Sequence, residues 1–216
     1  MKGLILKDLY LLKNRKRFFL ILMVFSIAMV LTNDKAVFVI NYITLIFALF
    51  TISTINYDEF DRGYSFLFTL PITRRQYVLE KYVFGLLVGG VPWGVVTFFV
   101  ALWQRMHNHN VTSVIIQSLV LLLFVLFFLW GSIPLHFKFG SEKGRIAVIA
   151  LFGGLVGIGY VLIKLLMQMG VDFKIIWTFF EALSLWQLFL IMGVICILFL
   201  LLSLYLSIGI MEKKEF

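Results

Sequence analysis

Long apolar runs alternate along this chain with short charged stretches, a pattern that suits helices crossing a bilayer. Six runs have that character: residues 18–32, 37–56, 82–103, 113–133, 146–169 and 186–210. A helix rises 1.5 Å per residue and needs about 20 apolar residues to cross the ~30 Å hydrocarbon core. The first run has only 15 residues, so either its helix extends back through the preceding basic cluster or the bilayer thins there. Before it, Leu4, Ile5, Leu9 and Leu12 recur at helical spacing among Lys2, Lys7, Asp8, Lys13 and Lys16. That pattern predicts an interfacial helix whose lysines reach the headgroups. Residues 170–185 are neither a span nor a simple turn. Ile175, Ile176, Trp177, Phe179 and Phe180 stand between Asp172, Lys174 and Glu181, which predicts a short re-entrant outer segment. The expected fold is all-α, one polytopic domain over residues 1–216 with six transmembrane helices.

The stretch between the second and third runs, YDEFDRGYSFLFTLPITRRQYVLEK, is too polar to cross a bilayer and too greasy for a plain loop. Asp58, Glu59 and Asp61 crowd its start, and Arg74 and Arg75 follow a turn at Leu70 and Pro71. Phe60, Tyr64, Phe66, Leu67 and Phe68 supply an apolar face between them. Such a segment reads as a short amphipathic helix against a membrane surface or a partner protein. The alternative is a solvated loop whose charges only set topology. A second polar loop is expected at residues 134–145, with Lys138, Glu142, Lys143 and Arg145.

Within the spans, Asn41, Thr44, Ala48 and Thr51 form a polar stripe on one face of the second helix. The third carries Gly85, Gly89, Gly90 and Gly94 around Pro92, and the fifth carries Gly153, Gly154, Gly157 and Gly159. Small and polar residues at these spacings either pack helix against helix or line a transport path. The proline implies a kink.

Composition agrees. The 216 residues are 62% hydrophobic and 14% charged, with a mean hydropathy of +1.04; soluble domains are about a quarter charged. The net charge of +8 is therefore read as a topology signal and not as nucleic-acid affinity. Lys and Arg number six before the first span, four in residues 57–81, three in residues 134–145 and two in the C-terminal tail. The opposite loops hold Lys35, Arg105 and Lys174. Both termini and the 57–81 segment are thus expected in the cytoplasm. Cys196, the single cysteine, reads as a small buried hydrophobe. His107 and His109 are too few for a metal site, and none is expected.

Catalytic constellations are missing from the sequence, as are a phosphate-binding G-x-x-x-x-G-K-[ST] loop and ionisable residues in mid-span. A chain of this kind should draw its energy from a partner. KGLILKDLYLLKN at the start and DEFDRGYSFLFTLPITRRQYVLEKY after the second span resemble the permease subunits of ABC-2 type transporters. The likeness is nearest to small bacterial permeases paired with a separate ATPase, including the phenol-soluble modulin exporters of staphylococci. LPITRRQYVLEKY, residues 70–82, is its most specific part.

The resemblance implies a cytoplasmic coupling helix that docks on two copies of a nucleotide-binding subunit, which alone binds ATP and Mg. Asp58, Glu59, Phe60, Asp61 and Arg62 would form the docking surface, while Leu70, Pro71, Arg74 and Arg75 would end it and orient the third span. It implies a second permease subunit, the same or related, with the pathway between the two. Its expected place is the bacterial cytoplasmic membrane, in contact with lipid, and the expected cargo is an amphipathic peptide such as a cytolytic toxin. Alternatives are a permease conferring resistance to lantibiotics or antimicrobial peptides or, in another class, a membrane scaffold or intramembrane enzyme.

Overall fold

The computed structural model describes residues 2–32, 36–60, 63–106, 111–168 and 184–214. Asp61, Arg62, His107, His109 and residues 170–183 of the re-entrant segment expected at 170–185 lie outside the described residues. Among those described, the chain is all-helical, without strands: α1 (Lys2–Asn14), α2 (Lys16–Thr32), α3 (Ala36–Glu59), α4 (Gly63–Leu67), α5 (Arg74–Met106), α6 (Val111–Gln168) and α7 (Leu185–Lys213). Four of these, α3, α5, α6 and α7, are long and apolar enough to cross a membrane. With 17 residues, α2 is shorter. It extends back only through Lys16 and Arg17 of the basic cluster, because the chain turns at Arg15, where Arg15 N–H donates to the Leu12 carbonyl at 3.0 Å.

Helix α6 has 58 residues and is broken at Gly140 (φ 78°, ψ −176°). This is backbone that only glycine adopts readily. The break is a reversal and not a bend. Phe128 packs against Phe152 with ring centroids 4.7 Å apart and planes tilted by 34°, although 24 residues of straight helix would hold them about 36 Å apart. A Cβ on Gly144 would come within 3.2 Å of the His136 Cα. The two arms are therefore antiparallel and close-packed. The polar loop expected at 134–145 is not a loop: Lys138 ends the first arm, Glu142, Lys143 and Arg145 open the second, and one glycine joins them.

Helix starts follow their caps. Thr73 precedes α5, and its Oγ1 accepts from Gln76 N–H at 3.2 Å while the Gln76 side chain accepts from Thr73 N–H at 3.3 Å. Ser184 and Gln187 form the same reciprocal box at α7. Each box satisfies backbone donors that a helix start leaves free. The third apolar helix accordingly begins at Arg74, eight residues before the apolar run does, and α3 runs on to Glu59.

The core lies where α3, α5, the first arm of α6 and α7 meet, around Ile55, Tyr77, Leu129, Ile133 and Phe137. The polar stripe of α3 faces inward, with Thr44 and Thr51 fully buried. Asn41 and Thr44 donate to the carbonyls of Val37 and Ile40 one turn back, a local way to satisfy polar groups in an apolar setting. Opposite the stripe lie the glycines of α5. A Cβ on Gly85 would meet Thr51 at 3.5 Å and Leu129 at 2.7 Å, and one on Gly89 would meet Ala48 at 3.7 Å. Within this chain the stripe is a packing surface.

Helix α5 continues through Pro92, and α6 through Pro134. Proline has no N–H, so Pro134 leaves the Trp130 carbonyl without its helical donor. Ser203 of α7 replaces it, donating to that carbonyl at 2.5 Å. Tyr82 hydroxyl pairs with Ser203 at 2.5 Å and Ser207 at 2.8 Å. An otherwise lipid-like α7 is thereby pinned to α5 and α6.

Candidate functional site

Among the described residues, one end of the molecule gathers nearly all the charge that the helices exclude. Three helices present i, i+4 pairs to a common point: Leu4 and Asp8 on α1, Thr54 and Asp58 on α3, Tyr77 and Lys81 on α5. Lys81 is 0% exposed and ion-pairs with Asp8, with Asp58 at 2.8 Å and with Glu80 at 3.7 Å. It also donates to Thr54 Oγ1 at 3.1 Å and lies 5.2 Å from the Tyr77 ring centroid. Lys7 pairs with Asp58 and, at 3.3 Å, with Asp8. Tyr77 hydroxyl donates to Asp58 at 3.0 Å.

Two lysines thus face three carboxylates in a nearly dry site. A carboxylate at the C-terminal end of α3 opposes the helix dipole, which is one reason Asp58 needs two cations. Removing one member of such a cluster leaves a buried charge without compensation, at a cost of about 3–5 kcal/mol.

A second set of contacts ties in α6 and α7. Arg74 donates to the terminal carbonyls of Met211 (3.1 Å) and Glu212 (2.5 Å), and Arg75 pairs with the Glu212 carboxylate at 2.6 Å. Guanidinium groups at the negative end of α7 favour its dipole. Lys214 donates to the Phe137 carbonyl at 3.1 Å and lies 3.6 Å from Glu59. The Glu59 carboxylate also sits over the hairpin, where a Cβ on Gly140 would lie 2.6 Å from Glu59 Oε1. N-terminal helix, hairpin tip and C-terminal tail are all clamped to one frame.

On that frame rests the short segment expected to dock. Its apolar residues divide. Tyr64 and Leu67 are buried, and burial pushes the Tyr64 phenol well above its ordinary range. Phe60 and Phe66 are 78% and 73% exposed, and Leu70 and Pro71 are exposed at the turn. Asp58 is only 8% exposed, so it belongs to the inner frame and not to an outward surface. Glu59 is partly covered by Lys214. Arg74 and Arg75 hold α7 as well as opening α5. A Cβ on Gly153 or Gly157 would meet nothing within 4 Å among the described residues, unlike one on Gly85 or Gly89.

In sequence, Asp8 reads as a charge of the interfacial helix and Lys81 as one of the four cations of the 57–81 segment, and no motif brings the two together. The signal was present: Asp8 falls one turn after Leu4, on the face that the helix buries. Among the described residues, no three His, Cys, Asp or Glu side chains converge to hold a metal.

Apolar helices too long and greasy for water, with their charges cross-linked at one end, define an integral membrane protein. The model of the ABC-2 family transporter proteins matches residues 3–212, and the chain belongs to that family. It is thus a membrane permease component of an ABC transporter, a component that lacks the ATPase domain. Members generally work with a nucleotide-binding ATPase partner. No curated protein and no solved structure matches the chain.

Proposed function

We propose that this permease serves an ATP-driven exporter of amphipathic peptides, pairing with a second permease subunit and two copies of a separate ATPase that binds ATP and Mg. The chain crosses the bacterial cytoplasmic membrane six times: α2, α3, α5, the two arms of α6 and α7. Both termini are cytoplasmic, in keeping with the excess of Lys and Arg on that side. The exposed face of the second α6 arm, with Gly153 and Gly157, is offered to the second permease subunit.

The observation that carries the reading is the pair Phe60 and Phe66, held outward at the basic end by a frame of buried ion pairs. Exposed aromatics on a rigid base are the usual anchors of a protein interface. ATP-driven motion of the partner would enter through them and pass by Asp58 and Lys81 into α3, α5 and α1. Glu59, Leu70 and Pro71 border the same surface, and Asp61 and Arg62 belong to the same stretch of sequence.

Co-purification with the ATPase, followed by peptide-stimulated ATP hydrolysis in proteoliposomes, tests this. Phe60→Ala with Phe66→Ala should weaken association about thirtyfold or more, on the scale of an interface hot spot, while insertion is unchanged. Normal association and normal peptide export by the double variant would sink the docking assignment. Association without any response to amphipathic peptides would sink the cargo.

A further inference from the structure

We infer that the cleft bounded by the α1–α2 junction, the end of α3 and the α6 hairpin binds the phosphate head of an anionic phospholipid. The cleft has a volume of about 560 Å³, and its walls differ in character. Phe19 and Phe50, both buried, give one side an apolar lining, while Arg15, Arg145, Asn56 and Ser141 give the other a polar one. The two arginines come from segments 130 residues apart in the chain and meet only through the fold. Neither forms an ion pair with a carboxylate among the described residues.

Arg15 is already oriented. Its guanidinium donates to the Tyr57 hydroxyl and lies 5.7 Å from that ring's centroid. A guanidinium has five N–H donors, so this contact leaves others for a ligand. Planar guanidinium groups match phosphate oxygens two at a time. Depth selects the lipid over a free phosphate: Arg15 stands three residues before the apolar run that begins at Phe18, and Arg145 directly before Ile146. Both mark the level where charge gives way to hydrocarbon, where basic pockets between membrane helices bind acidic headgroups. The apolar wall then receives the start of the acyl chains. Phe60 of the proposed docking surface borders the same cleft, but the headgroup contacts come from Arg15 and Arg145, so failure of this site would leave the docking reading standing.

The test uses the full-length protein in nanodiscs of equimolar phosphatidylcholine and phosphatidylglycerol, with retained lipids counted by native mass spectrometry. The unaltered chain should retain phosphatidylglycerol preferentially. Arg15→Gln with Arg145→Gln should lower that preference about tenfold or more, the scale of one lost charge-assisted contact. Arg145→Gln alone, an exposed change that breaks no ion pair, should fold regardless and lose part of it. Lys138→Gln with Lys143→Gln removes equal charge near the hairpin tip and should leave the preference intact. Equal losses from both double variants would mean diffuse electrostatics and overturn the site. Displacement of the lipid by millimolar inorganic phosphate, with no preference among lipids, would overturn the lipid assignment.

Discussion

Gly85 and Gly153 are written in the same sequence code, a glycine repeated four residues later in an apolar helix, yet their surroundings are opposite. Around Gly85, α3 and the first arm of α6 come so close that a single added carbon would collide with Leu129. A carbon added at Gly153, on the second arm, would meet nothing within 4 Å among the described residues. The first region is also cross-linked by polar groups: Tyr82 to Ser203 and Ser207, Lys81 to two acids. The second shows mostly exposed Leu, Val and Ile. Small-residue spacing therefore permits close approach but does not say who approaches. The inner region is finished within one chain, and the outer one is left to lipid or to another subunit.

The inner region is most vulnerable at Lys81. Lys81→Met leaves Asp8 and Asp58 buried beside a single remaining lysine, and should lower stability by about 3–5 kcal/mol. Thermal unfolding in mild detergent reads this loss. Replacing Asp8 and Asp58 by Leu alongside Lys81→Met should recover part of it; no recovery would mean that the cluster holds the helices by shape and not by charge.

Next in size is Gly85→Leu, which overfills a packed contact and should destabilise by roughly 1–3 kcal/mol. A loss below this range would show that α3 and α5 separate easily, and the inner region would resemble the outer one.

Gly153→Leu should be the mildest, within about 0.5 kcal/mol in the isolated chain, as for surface changes generally. Its effect belongs to association, and cross-linking of copies in liposomes would reveal it. Unchanged stability together with weakened pairing would mark the second arm as a subunit contact. Unchanged pairing as well would leave that face to lipid.

These particulars show what the sequence discloses. Helix existence was legible because the bilayer imposes apolar length, a constraint independent of tertiary structure. Helix ends were less so: hydropathy stops at Tyr82, but the Thr73–Gln76 cap starts the helix at Arg74. The one-residue reversal at Gly140 was hidden, since Lys138, Glu142, Lys143 and Arg145 look like loop residues whether or not they are helical. The candidate site divided along the same line. That the segment after α3 matters could be read from its mixture of acids and aromatics. That Asp58 turns inward and Phe60 outward depends on Lys7 and Lys81, which no local pattern brings together.

Burial of Lys81 among acids from earlier in the chain has a consequence for synthesis. Asp8 and Asp58 leave the ribosome before the ammonium that balances them, Asp8 by 73 residues. Until then only Lys7 is at hand, and taking two carboxylates out of water with one cation is unfavourable. The amphipathic N-terminal helix thus lacks the buried cation it docks on until α5 is made, although it is made first. α5 is the keystone whose arrival lets it dock, and a nascent chain arrested before residue 81 would expose that unfinished seam to quality control.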